Sequence, residues 1–162
     1  PLAADTSRLY ARGRLIHKML QFLPSTEPEL RPQIIRDFLD KQAVDYPPAE
    51  QASIAAEVLN LISNPQFAPL FGTDSLAEVS LMGQVGDKII SGQIDRLVVT
   101  KDSVMIVDYK TNRPAAKSPA DIPQTYIKQM RAYKEIVSKI YPDKQILTYI
   151  LWTNTAQIMQ VE

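Results

Sequence analysis

The stretch Gly92-Gln-Ile-Asp95-Arg-Leu-Val-Val-Thr-Lys-Asp-Ser-Val-Met-Ile-Val-Asp108-Tyr-Lys110-Thr-Asn-Arg113 decides how this chain is read. Two apolar runs, Ile94–Val99 and Val104–Tyr109, flank the polar segment Thr100–Ser103, which is the pattern of a β-hairpin. With the loop centred on Lys101 and Asp102, Leu97 faces Ile106, Val99 faces Val104, Gln93 faces Lys110 and Asp95 falls opposite Asp108. Side chains alternate along a strand, so Asp95, Asp108 and Lys110 share one face.

Like charges directly opposite each other destabilise a sheet by roughly 0.2–1 kcal/mol. Two carboxylates aimed at one point make sense when a cation sits between them. Oxygen donors on rigid strands suit Mg2+ or Mn2+, with water and a phosphate completing the shell. Lys110, two residues beyond Asp108 on the same face, can hold a water or a phosphate oxygen. The pairing rests on register, because a loop one residue longer or shorter sends one aspartate to the opposite face. On pattern alone the two aspartates read equally as a cation site and as strand-end residues in solvent.

The composition is that of an ordinary globular chain: 162 residues, 45% of them apolar. We expect a single domain over 1–162, with 1–75 a mainly helical scaffold that carries His17 and 76–162 the sheet and active-site core. Net charge is zero, where a free-standing, sequence-independent DNA binder would be basic. Residues 1–80 hold seven Lys and Arg against ten Asp and Glu, and residues 81–162 hold eleven against eight, so the basic excess lies with the hairpin. The chain has no cysteine, which excludes disulfides, thiolate metal sites, iron–sulfur clusters and a Cys nucleophile. No stretch approaches the roughly 20 apolar residues of a membrane-spanning helix. The chain starts at Pro1 and enters a helical pattern almost at once, which reads as a piece of a longer protein.

Asp5-Thr6-Ser7 offers a helix N-cap, and Leu9, Ile16, Leu20 and Leu23 recur behind it at helical spacing until Pro24. The one histidine, His17, lies in this helix, with Gly13 a turn earlier on nearly the same face. Glycine inside a helix costs about 1 kcal/mol, a cost tolerated where a backbone or ligand comes close. A lone histidine on a helix is more often a surface or capping residue than a ligand. Further helices are expected over 27–43 and 49–63, with a helical turn over 64–72. Residues 25–75 show no chemistry and read as scaffold. Strands are expected over 76–82 and 88–99, with a turn over 83–87 between them, making a three-stranded meander with the hairpin. Glu78 on the first strand takes a supporting role. Beyond Arg113, a proline-rich loop brings Arg113 and Lys117 within reach of phosphates. Pro123 to Tyr141 is a helix with Ile127, Met130, Val137 and Ile140 inward, and Gln129 and Tyr133 share one of its faces. Gln145 to Thr153 is a buried strand, and Gln157 to Val161 an edge strand.

Four pieces of this pattern resemble the PD-(D/E)xK nuclease superfamily, and within it the nuclease domain of RecB- and AddA-type helicase–nucleases. They are Gly13-Arg-Leu-Ile-His17, Gly92-Gln-Ile-Asp95-Arg96, Asp108-Tyr109-Lys110 and Gln129-Met-Arg-Ala-Tyr133. Each alone is weak, but they stand in the family's order on a helix, two strands and a helix. The wording around the two strand motifs is most similar to the AddA type, which acts in bacterial double-strand-break repair. The resemblance covers about residues 7–162.

The resemblance implies an α+β fold: a restriction-endonuclease-like αβββαβ core with a mixed central sheet and extra N-terminal helices. It implies that His17, Asp95, Asp108 and the Tyr109 backbone carbonyl bind the catalytic Mg2+ or Mn2+. Asp95, Asp108 and Lys110 would be the catalytic groups. Gln129 and Tyr133, with Arg113 and Glu78, would position DNA and support the site. The implied activity is a metal-dependent deoxyribonuclease, most simply an exonuclease, processing DNA ends. The implied partners are DNA, a helicase motor on the same full-length chain and a partner nuclease subunit of the AddB type. The implied location is the bacterial cytoplasm at the nucleoid. Two other readings stay open on the residues: a DNA-end-binding or docking module inactive in isolation, and an unrelated metal-binding α+β domain.

Overall fold

The computed structural model describes residues 2–162, with side chains from Thr6 onward. Its elements run α1 (Leu2–Phe22), α2 (Arg31–Gln42), α3 (Pro48–Ile62), β1 (Ser75–Val85), β2 (Lys88–Val99), β3 (Ser103–Lys110), α4 (Gln124–Ile140), β4 (Gln145–Trp152) and β5 (Gln157–Val161), with short 3-10 turns between them. The strands form one mixed sheet in the order β1-β2-β3-β4-β5. The sequence order of the core is therefore αβββαβ with a fifth strand at the edge, the α+β arrangement that the resemblance implies. No helix among the described residues is long and apolar enough to cross a membrane.

The β2–β3 hairpin has the register read from the loop: Leu97 pairs with Ile106 and Val99 with Val104. Lys144 locks the loop by donating to the carbonyls of Thr100 (2.6 Å) and Lys101 (2.7 Å). β1 and β2 pair over almost their whole length around Gly86 and Asp87, and Gly86 has the positive φ of 58° that a tight turn requires. β3 and β4 are parallel, so α4 must cross the sheet between them.

The sheet buries both faces. α1, α2 and α3 pack with Val98, Val107, Tyr109 and Leu151 on one side. α4 packs with Leu97, Val104, Ile106 and Ile150 on the other. A sheet covered twice explains the nearly continuous apolar runs in β3 and β4.

Several expectations are corrected in detail. α1 already runs from Leu2, so Asp5-Thr6-Ser7 lies inside the helix and does not cap it. Leu9 and Ile140 carry the helical period but are each 57% exposed, because Leu9 lines an open cleft and Ile140 is the last residue of its helix. β1 continues through Gly83 to Val85, which shrinks the expected 83–87 turn to two residues. Tyr133 and Ile136, not Ile127 and Ile140, complete the buried stripe of α4 with Met130 and Val137.

One buried cation ties the helical layer to the sheet. Arg96 on β2 is only 3% exposed and has no carboxylate in ion-pair contact among the described residues. It donates instead to the Leu20 carbonyl in the last turn of α1 (2.8 Å), to Ser75 Oγ (3.2 Å) and to Tyr109 Oη (3.4 Å), and it lies over the Phe71 ring. The helix C-terminus is the negative end of its dipole, so the guanidinium is stabilised there without a carboxylate. Replacing Arg96 by Met strands these acceptors in the core. The expected loss is roughly 2–4 kcal/mol, read as a lower urea midpoint at unchanged slope.

Candidate functional site

β2 and β3 pair only from Arg96 to Val99, opposite Val104 to Val107. Towards Asp95 and Asp108 the strands part, and the Asp95 carboxylate replaces the lost backbone partner: its Oδ2 accepts the Tyr109 N–H at 2.7 Å. Asp95 is therefore held in the gap as part of the sheet's own hydrogen bonding.

The gap opens the sheet to both helical layers. From the α1 side His17 reaches in, its Nδ1 lying 3.2 Å from Asp95 Oδ1 and its ring edge-on to Tyr109. α1 can come this close because residue 13 is glycine: a Cβ there would stand 2.6 Å from Thr111 Oγ1, just beyond β3. From the α4 side comes Gln129. Asp108 and Lys110 point that way, with Lys110 Nζ 2.7 Å from Asp108 Oδ2, a close ion pair not aligned as a hydrogen bond. Lys110 also donates to Gln129 Oε1 (3.4 Å) and sits 4.1 Å from the centre of the Tyr126 ring. Gln129 Nε2 in turn lies 3.2 Å from Tyr133 Oη. Tyr133 is buried and rests against Gly92, where a Cβ would stand 2.3 Å from the phenol oxygen.

All these residues except Tyr133 and Gly92 line one cleft of about 820 Å³. His17, Glu78 and Asp95 offer ligand atoms all within 4.8 Å of one another. Glu78 stands across from Asp95 in the β1–β2 ladder at a break in the pairing, with a left-handed φ of 52°. A non-glycine residue held there is strained, and such strain concentrates at functional positions. Glu78 thus lies closer to Asp95 and His17 than a merely supporting role requires. Arg113 lines the cleft but shares its charge with Glu57 at 3.4 Å. Lys117 is not among the lining residues.

Crowding of acids sets the electrostatics. Burial and the neighbouring Asp95 push Asp108 up to about 6, although Lys110 and His17 pull it down. Burial and Asp95 also raise Glu78. Burial by itself would lower the His17 pKa, but the contact with Asp95 and the charges of Asp95, Asp108 and Glu78 outweigh it and raise it. The site is an excess of negative charge held out of water, which a divalent cation would relieve.

Sequence reading overlooked two residues. Glu57, in the stretch expected to be scaffold only, has a side chain just 6% exposed. It pairs with Arg12 and Arg113 and accepts from Thr153 Oγ1 at 2.8 Å, tying α3 to α1 and to the ends of β3 and β4 behind the site. The signal was present: Glu57 falls on the inward stripe of Ile54, Val58 and Leu61. Tyr126, the ring beneath Lys110, stands one turn before Gln129 and Met130 on α4.

A family model described as the PD-(D/E)XK nuclease superfamily matches residues 2–158. A crystal structure from Eubacterium rectale, of a protein described as a candidate exonuclease, aligns with a TM-score of 0.51 at 14% identity. The alignment covers 88% of this chain and 59% of that one, so this chain spans little more than half of that protein's length, and the likeness is one of fold. The crystal structure of SSO0001 aligns over 93% of this chain and 76% of its own at 15% identity, with a TM-score of 0.41. No curated protein matches.

Asp108 supplies a direct test of the crowding. Its carboxyl binds a proton more tightly folded than unfolded, so its contribution to stability is complete below about pH 4 and is lost as pH rises through about 6. Asp108→Asn should therefore stabilise the metal-free protein at pH 7–8 by up to about 3 kcal/mol, with no gain at pH 4. Chemical denaturation at the two pH values measures this, and equal destabilisation at both would show that Asp108 is structural.

Proposed function

The chain belongs to the PD-(D/E)XK nuclease superfamily, and from that premise we propose that it hydrolyses phosphodiester bonds in DNA at the cleft where α1, the parted strands and α4 meet. One observation carries the reading. Four short motifs, far apart in the chain, touch one another around Asp95, Asp108 and Lys110.

The residues fit a hard divalent cation: one imidazole and crowded carboxylates on rigid strands, with Asp108 protonated more easily than an ordinary aspartate because burial and the neighbouring Asp95 disfavour its charge. In this reading His17, Asp95, Asp108 and the Tyr109 carbonyl hold Mg2+ or Mn2+, with Glu78 beside them. Such a cation, when bound, polarises the scissile phosphate and lowers the pKa of water. Asp95 keeps its direction because its second oxygen is fixed by the Tyr109 N–H. Lys110, held between Asp108 and Gln129, orients the attacking water and meets the charge that develops on the phosphate. Gln129 places Lys110, and Tyr133 places Gln129. Arg113 meets a phosphate at the rim.

The finer assignment is a RecB- or AddA-type exonuclease that processes DNA ends in double-strand-break repair. It would act with a helicase motor on the same full-length chain and an AddB-type partner in the bacterial cytoplasm. The wording and order of the four motifs support it.

End-labelled DNA with Mg2+ or Mn2+ tests the reading. Lys110→Ala should lower cleavage by roughly 10²–10³-fold. It should leave intact the rise in melting temperature that the metal produces in the wild type. Asp95→Ala should abolish both. A Lys110→Ala protein that cleaves at the wild-type rate would overturn the assignment of Lys110.

A further inference from the structure

α1 carries four described cations, and they divide into two pairs. Arg8 and Arg12 face α3, where each meets a glutamate: Arg8 contacts Glu50 at 2.6 Å and Arg12 contacts Glu57. Arg14 and Lys18 line the cleft instead, are exposed, and have no carboxylate in ion-pair contact among the described residues. Lys18 donates to the Gln21 amide at 3.2 Å, and Arg14 stacks over the Tyr10 ring at 5.2 Å. Tyr10 also lines the cleft and is 70% exposed, so much of its ring is open to solvent.

The helix gives this pair a fixed relation to the site. Tyr10 stands seven positions before His17, two turns along nearly the same face and roughly 10 Å along the axis. A strand whose phosphate lies at the reacting centre passes this ridge within a few nucleotides. An aromatic ring backed by a guanidinium, beside a second exposed cation, is the equipment for an unpaired base and its phosphates. A duplex hides its base faces by stacking and cannot use the ring in this way.

We infer that Tyr10 and Arg14 form a stacking subsite for an unpaired base of a single DNA strand entering the cleft, with Lys18 meeting the backbone. This rests on the nuclease reading for the strand's destination, and it specifies the substrate as single-stranded at this end of the cleft. The positive charge of Arg14 and Lys18 also offsets the acidic centre, where Lys18 already acts on Glu78 and which alone would repel a phosphate.

The test is fluorescence anisotropy of a labelled oligothymidylate at low salt, with Ca2+ as the cation, beside a duplex of the same length. Tyr10→Ala should weaken single-strand binding about 5- to 100-fold, while Tyr10→Phe stays within about twofold and duplex affinity does not change. Arg14→Ala should make the logarithmic salt slope shallower by about 0.7. Unchanged single-strand affinity in Tyr10→Ala would overturn the inference. So would an equal loss on the duplex, equal losses in the Ala and Phe variants, or a wild type that binds no single strand. Because the assay reads binding without turnover, the two readings fail separately. A protein that binds through Tyr10 but never cleaves with Mg2+ or Mn2+ loses the nuclease reading alone. A protein that cleaves but binds equally well as Tyr10→Ala loses only this subsite.

Discussion

The parting of β2 and β3 at Asp95 is the constraint on which the rest of the structure depends. A sheet that continued its ladder would bring the carboxylates of Asp95 and Asp108 face to face and seal the space between the helical layers. Instead the pairing stops at Arg96 and Val107, and the Asp95 carboxylate takes the Tyr109 N–H at 2.7 Å. That bond keeps a backbone donor satisfied and fixes the direction of an acid whose other oxygen faces His17. The opening also allows α1 and α4, on opposite faces of the sheet, to reach one point.

Glycines set how closely the helices approach, Gly83 among them, where a Cβ would stand 2.7 Å from Ile136 of α4. Gly13 lets α1 lie against Thr111, and Gly92 leaves room for the Tyr133 hydroxyl. The order of the contacts follows. Tyr133 supports Gln129, Gln129 supports Lys110, and Lys110 pairs with Asp108. A change at Gly92 or Tyr133 would thus reach Asp108 and Lys110 through side chains that contact each other, although Tyr133 does not line the cleft.

The remaining charge serves position. Arg96 holds the end of α1 to the sheet through a helix carbonyl and Tyr109, which fixes His17 one turn earlier. Glu57 holds α1, α3 and the ends of β3 and β4 together behind the site. A buried group that lost its partner in either network would carry an uncompensated desolvation cost. The acids of the centre differ: burial and the repulsion of Asp95 make Asp108 and Glu78 hold their protons more tightly.

Much of this was legible in the order of residues. Two apolar runs either side of a short polar loop determine the hairpin, and the centre of that loop its register, because a strand has a period of two and one misplaced residue would invert every side chain. The helical period determines α3 and α4 to within a residue or two and α1 except for its start, and Gly13 already signalled a close approach. What sequence could not determine is where a regular element stops obeying its own period. Leu9 and Ile140 keep the helical spacing yet face solvent, and Glu57 sits on an inward stripe to make a polar network. Glu78 leaves the strand conformation beside Asp95. Local pattern reports what a segment would bury if covered, but whether it is covered depends on packing between distant segments. The residues of the centre were therefore readable one motif at a time. Their meeting through a gap in the sheet was decided only when two helical layers closed on its opposite faces.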